Sequence, residues 1–168
     1  MDNLFAGESA CPTTRALVIY SSVMTNWTIR LAIALPILAL AAETGTVEPK
    51  DLAAQLQRAG TKRALIHVGF AVMYRGKHIP QSIYAGPARN AEGLDALKKA
   101  VANMPRDREI VVYCGCCPYE MCPNIKPALA ALREMGFTRV KALMMPTNFA
   151  TDWINHGYPI EEGEAAAK

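Results

Sequence analysis

The chain of 168 residues lacks a strong charge of either sign, since 18 lysines and arginines against 15 aspartates and glutamates leave a net +3. Its basic residues are scattered and not interleaved with the aromatics, which make up only 7% of the chain, so nothing marks a nucleic-acid surface. A membrane-length apolar run is missing as well. The main candidate, Leu31 to Leu40, falls short of the ~20 residues a spanning helix needs and is interrupted by Pro36. No Cys-x-x-Cys-His occurs, which excludes attached c-type haem. Internal repeats and low-complexity segments are also absent. With 51% of its residues apolar, the chain can build one ordinary core and hardly two.

Residues 26–43 carry the pattern of a secretory signal: Arg30 as a positive start, Leu31 to Leu40 as the apolar stretch, and Ala39-Leu40-Ala41 as a small-x-small cleavage site. The pattern predicts an exported protein, periplasmic in a bacterium, with no stable membrane insertion after cleavage. The alternative is a membrane anchor formed by an uncleaved signal, or a buried helix. Residues 1–23 hold Asp2, Glu8 and a second apolar patch from Ala16 to Tyr20, none of which a signal needs, so translation is expected to start at Met24. The expected organisation is an extension and signal over 1–41, one domain over 42–163 and a frayed tail over 164–168, the fraying of this polar, alanine-rich end being expected to begin at Glu161. Cleavage would remove Cys11 and leave four of the five cysteines in an oxidising compartment, where unpaired thiols tend to become disulfides.

Those four lie together. A β-branched strand, Glu109 to Cys114, ends in a loop holding Cys116, Cys117 and Cys122 and enters an apolar-periodic helix at Ile125. Thiolate is favoured where backbone N–H groups and the positive end of a helix converge, and parallel sheets gather their sites at the carboxyl ends of strands. The pattern predicts Cys114 as an anion-handling nucleophile. Its cradle would be the N–H groups of Gly115 to Cys117 and the helix start, with Asn124 as N-cap and Lys126 adding positive charge in the first turn. Cys116 and Cys117 are neighbours about 3.8 Å apart at Cα, below the usual disulfide range, so Cys117 or Cys122 is expected to partner Cys114. A second reading makes Cys114, Cys116, Cys117 and Cys122, helped by Met121, a site for Cu(I) or zinc. Phosphatase chemistry is set aside, because the loop holds no arginine and Glu120 would repel phosphate.

Elsewhere the chain alternates strand and helix. Val47 to Gly60 reads as an edge strand leading into a helix, Arg63 to Gly69 as a central strand, and Phe70 to Ala91 as a loop-rich stretch with a short strand at Ser82 to Tyr84. Ala91 to Met104 is helical, Val140 to Met145 is a strand, and Thr147 to His156 is a last helix with Phe149 and Trp153 on one face. Gly136 stops the helix after the cysteine loop. This order predicts an α/β fold, a parallel sheet with helices on both faces. His78 reads as a turn residue, His67 as a hydrogen-bonded core or rim histidine, and His156 as a helix C-terminal cation. Lys77 and Arg89 sit in the long loop, where they would steer an anion.

Four stretches from Val47 to Gly163 resemble single-domain rhodaneses: the helix-opening VEPKDLAAQL, the strand ALIHV followed by His78-Ile79-Pro80, the strand IVVYC, and Gly136-Phe137 with Trp153 and Gly157-Tyr158-Pro159-Ile160. The resemblance implies a three-layer domain with a mostly parallel five-stranded sheet and a persulfide carried on Cys114. It implies sulfur transfer from a small sulfur-containing anion such as thiosulfate, or from a persulfide, to cyanide or a thiol acceptor that can be a protein, with no cofactor. The chain departs from the family pattern at His67 and Gly69, where an Asp and an Arg are usual. It departs again at Gln81-Ser82, in place of Gly-Ala, and in a loop lengthened by three additional cysteines.

Overall fold

The computed structural model describes residues 43–58 and 63–163. The signal pattern, the Met24 start, the cleavage after Ala41, the helix stop at Gly60 and the tail over 164–168 lie outside the described residues. The elements in order are β1 (Glu43–Val47), α1 (Pro49–Leu56), β2 (Ala64–His67), α2 (Ala71–Gly76), β3 (Ile83–Tyr84), α3 (Ala91–Val101), β4 (Ile110–Tyr113), α4 (Ile125–Glu134) and β5 (Arg139–Leu143). One 3₁₀ turn, Tyr119–Met121, lies inside the cysteine loop, and a π-helical turn, Ala150–Ile154, follows β5. The sheet has five strands in the order β1-β5-β4-β2-β3, and every pairing is parallel.

β4 lies in the middle, paired with β5 on one side and β2 on the other. All four of its side chains are buried, as expected of a strand covered on both faces. They alternate: Ile110 and Val112 join the core under α3 and α4 with Leu97, Ala128 and Leu132, while Val111 and Tyr113 join the core with Leu52, Leu143 and Trp153. Cys114 continues the first row. Gly136 takes the left-handed conformation (φ 86°) that ends α4, and Phe137 is buried beside it.

Four expectations need correction. The loop-rich stretch contains α2, six residues too few to show a helical period; Tyr74 anchors it, stacked on His78 and donating its hydroxyl to the Ser82 carbonyl. The last helix is only a π-turn, preceded by Thr147 and Asn148, whose N–H groups donate to the Asp152 carboxylate at 2.7 and 2.9 Å. The helix expected to run to Met104 ends at Val101, and its N-cap is Asn90, whose side chain accepts from Gly93 N–H at 2.9 Å. Glu161 to Gly163 is tied down: Glu161 bridges His78 in antiparallel fashion, and Gly163 N–H donates to the Arg75 carbonyl at 2.9 Å.

The turn from His78 to Ser82 is held against β4. The Tyr113 hydroxyl accepts from Ile79 N–H at 3.1 Å and shares a hydrogen bond with the Ser82 hydroxyl at 2.7 Å. Gln81 adopts φ 60° where the family usually has glycine, and its N–H donates to the Glu161 carboxylate at 3.2 Å. No helix among the described residues is long and apolar enough to cross a membrane.

Candidate functional site

The site begins where β4 ends. Cys114 is 1% exposed, and Gly115 after it turns the chain with φ 86°. A Cβ at Gly115 would stand 2.8 Å from the Phe149 Cβ, so both the conformation and the space demand glycine. The turn folds the next residue back, placing Cys116 Sγ 3.2 Å from Cys114 Sγ. Cys117 Sγ is next in line, 3.1 Å from Cys116 Sγ, and both of these side chains are half-buried. The loop is pinned at two points: Phe149 N–H donates to the Gly115 carbonyl at 3.1 Å, and Tyr119 N–H donates to the Met145 carbonyl at 2.8 Å. The 3₁₀ turn then returns the chain so that the sulfurs of Cys114, Cys116 and Cys122 all lie within 4.8 Å of one another. All four loop cysteines are free thiols; Cys116 Sγ stands 3.2 Å from Cys114 Sγ, and Cys122, one of the two expected partners, lies within 4.8 Å of it.

Asn124 does not cap α4. Its backbone is helical (φ −92°, ψ −31°), and a cap needs an extended residue whose side chain can reach back to the first N–H groups. The fully buried side chain instead donates from Nδ2 to Cys114 Sγ at 3.2 Å and accepts from Arg89 N–H at 3.1 Å. It ties the sulfur to the loop before α3. The Arg89 guanidinium lies over the Phe70 ring, 5.0 Å from its centre, so Arg89 flanks the site, whereas Lys77 pairs with Glu162 at 3.9 Å. Lys126 is exposed on the first turn of α4.

The N–H groups are divided between two sulfurs. Cys122 is held down at about 5, first by the Cys114 thiol donating to it and then, against the cost of burial, by the N–H groups of Asn124 and Ile125 at the start of α4. Cys114 is pushed up, by that same hydrogen bond and by burial, with the Cys116 N–H partly opposing. Thiolate is thereby favoured at Cys122, by the helix start, over Cys114. Cys117 is pushed up to about 12 by burial and then by its contact with Cys116.

His67 lies beside the cluster. Its Nδ1 accepts from Gly69 N–H at 3.3 Å, and the ring also bonds the Cys114 backbone. Burial lowers it to about 4, which favours the neutral ring, and its contacts brace the end of β4. A Cβ at Gly69 would meet Cys114 Sγ and the Cys114 carbonyl at 2.9 Å, so the side chain usual in the family has no room here. The part played by Asn124 and Gly69 was not evident in the sequence. For Asn124 the available signal was an asparagine between Pro123 and an apolar helix, directly after the cysteine loop; for Gly69 it was a glycine where the family usually carries a side chain.

The chain matches the family model "Rhodanese-like domain" over residues 48–145. A search of curated proteins finds no match. Among solved structures, the rhodanese-like domain of a protein from Anabaena sp. is 21% identical, covers 73% of this chain and 86% of its own, and gives a TM-score of 0.53. A protein from Bacillus halodurans is 20% identical over 70% of this chain and 76% of its own, with a TM-score of 0.55. Thiosulfate sulfurtransferase from Pseudomonas aeruginosa is 19% identical over 74% of this chain but only 22% of its own, with a TM-score of 0.53. At these identities the likeness is one of fold. The family match spans 98 of the 168 residues, and the chain therefore belongs to the rhodanese-like domain family.

Proposed function

We propose that the domain is a sulfurtransferase that carries sulfane sulfur on Cys114. The observation behind this reading is a thiol at the end of β4 whose sulfur receives the Asn124 amide at 3.2 Å and lies within 4.8 Å of the Cys122 sulfur at the start of α4. Attack of Cys114 on the outer sulfur of thiosulfate forms the Cys114 persulfide and breaks the S–S bond of the donor. The electron pair leaves with sulfite, and the thiol proton passes to the Cys122 thiolate. The persulfide anion keeps the Asn124 donor, and a thiol or cyanide then removes the outer sulfur. Cys114 is buried, and Cys116 and Cys117 are half-exposed, so donor and acceptor approach from the cysteine loop, beside the exposed Met121.

The signal pattern over residues 26–43 supports placing this chemistry in an exported, periplasmic compartment, where a reductant must keep the thiols free. Thiosulfate treatment followed by intact mass tests the function. Uptake of one sulfur is expected, seen either as a mass gain that cyanide removes or as sulfide released, and either of these in Cys114→Ser would refute the assignment.

A second reading is favoured by the three sulfurs gathered within 4.8 Å. Cys114, Cys116 and Cys122, with Cys117 beside them, would hold a soft ion such as Cu(I) or zinc. A stoichiometric metal in the native mass spectrum, lost on denaturation, would favour it.

A further inference from the structure

Resting on the sulfurtransferase reading, we infer that Cys116 is a resolving thiol which closes a disulfide with Cys114, expels the bound sulfur as hydrosulfide, and makes the domain a dithiol-dependent reductase of sulfane sulfur. Three features of the loop carry this. The Cys114 and Cys116 sulfurs already stand 3.2 Å apart, so closing to a disulfide of about 2.05 Å takes about 1 Å of movement. Gly115, at φ 86° and with no room for a side chain, holds the turn that brings them together. Exposure also changes along the row: Cys114 is buried, whereas Cys116 and, 3.1 Å further on, Cys117 are half-buried.

In the step, the Cys116 sulfur attacks the inner sulfur of the Cys114 persulfide. The Cys114–Cys116 bond forms, the bond to the outer sulfur breaks, and that sulfur departs as hydrosulfide with the proton Cys116 gives up. Two thiols are oxidised and one sulfane sulfur is reduced, so electrons balance. A dithiol reductant then exchanges with the disulfide at Cys116, the sulfur it can reach, and restores both thiols. Cys122 is less suited to resolve, because the N–H groups of Asn124 and Ile125 hold its sulfur at the start of α4.

The test uses the full chain, reduced and freed of reductant without oxygen, then given one equivalent of thiosulfate. The wild type should release about one equivalent of sulfide without added thiol and become two hydrogens lighter. Fragmentation of the peptide Glu109 to Arg133 should place the bond between Cys114 and Cys116. Cys116→Ser and Cys116→Ala should stop one sulfur heavier and release sulfide only when dithiothreitol is added. A wild type that itself stops one sulfur heavier, or a Cys116→Ser protein that releases sulfide unaided, would overturn the resolving role and leave sulfur transfer standing. Neither sulfur gain nor sulfide in any of these proteins would overturn the underlying sulfurtransferase reading and this step with it.

Discussion

Two turns flank the carboxyl edge of the sheet, and both contain a left-handed residue. At Gly115 (φ 86°) the conformation is imposed by sterics, because Phe149 fills the space a Cβ would take. At Gln81 (φ 60°) the residue departs from the family's glycine, yet the turn persists, held by Glu161 on the Gln81 N–H and by the Tyr113 hydroxyl on Ile79. A turn serving as scaffold tolerates a disfavoured residue when outside hydrogen bonds fix it. A turn that must set one sulfur against another leaves no such freedom.

The comparison breaks most sharply at the sulfur itself. Cys114→Ser is expected to reduce sulfur uptake to background while leaving the melting temperature nearly unchanged, because the hydroxyl occupies the same buried position; intact mass and calorimetry read the two effects. Asn124→Leu removes the donor to Cys114 and leaves Arg89 N–H unpaired. Uptake should fall about 10- to 100-fold, from the loss of a buried hydrogen bond of about 1–3 kcal/mol, measured by stopped-time mass spectrometry. The pH profile should show an acid limb near 5, uptake falling about tenfold per unit below it as Cys122 gains a proton and ceases to accept one. In Cys122→Ser that limb should move to higher pH, towards the ordinary thiol range.

The smaller effects test the turns as scaffolds. Gly115→Ala should destabilise by about 1–3 kcal/mol in denaturant melts, from a strained φ and the contact with Phe149. Gln81→Gly should change stability by less than about 1 kcal/mol and in the favourable direction, since relief of the left-handed cost is offset by a looser unfolded chain. If Gly115→Ala were as mild as Gln81→Gly, the distinction between the turns would fail.

The architecture was legible in the sequence because it rests on period and punctuation. The apolar run of β4, the period of α4 and the stop at Gly136 each follow from local residue order, and the rhodanese-like stretches fixed how they assemble. Helix α2 was not legible, because its six residues are defined by Tyr74 meeting His67 and His78 and by no pattern of their own. Within the loop, adjacency rules disfavour a bond between Cys116 and Cys117, but they do not say which sulfur meets Cys114. That depends on the sign of one dihedral angle at Gly115. The cap assigned to Asn124 failed similarly: residue type and position fit a cap, and the neighbouring sulfur and the Arg89 amide outcompeted the helix for its side chain.

The bridge between His78 and Glu161 and the hydrogen bond from Gly163 to Arg75 also bear on how the domain is made. Synthesis is vectorial, and chains begin to fold as they emerge. α2 and the His78 turn are fastened by residues that appear some eighty positions later, so that wall of the site cannot set until Gly163 has cleared the ribosome. The thiol loop leaves earlier and waits with that flank open, which is when its cysteines are most exposed to mispairing.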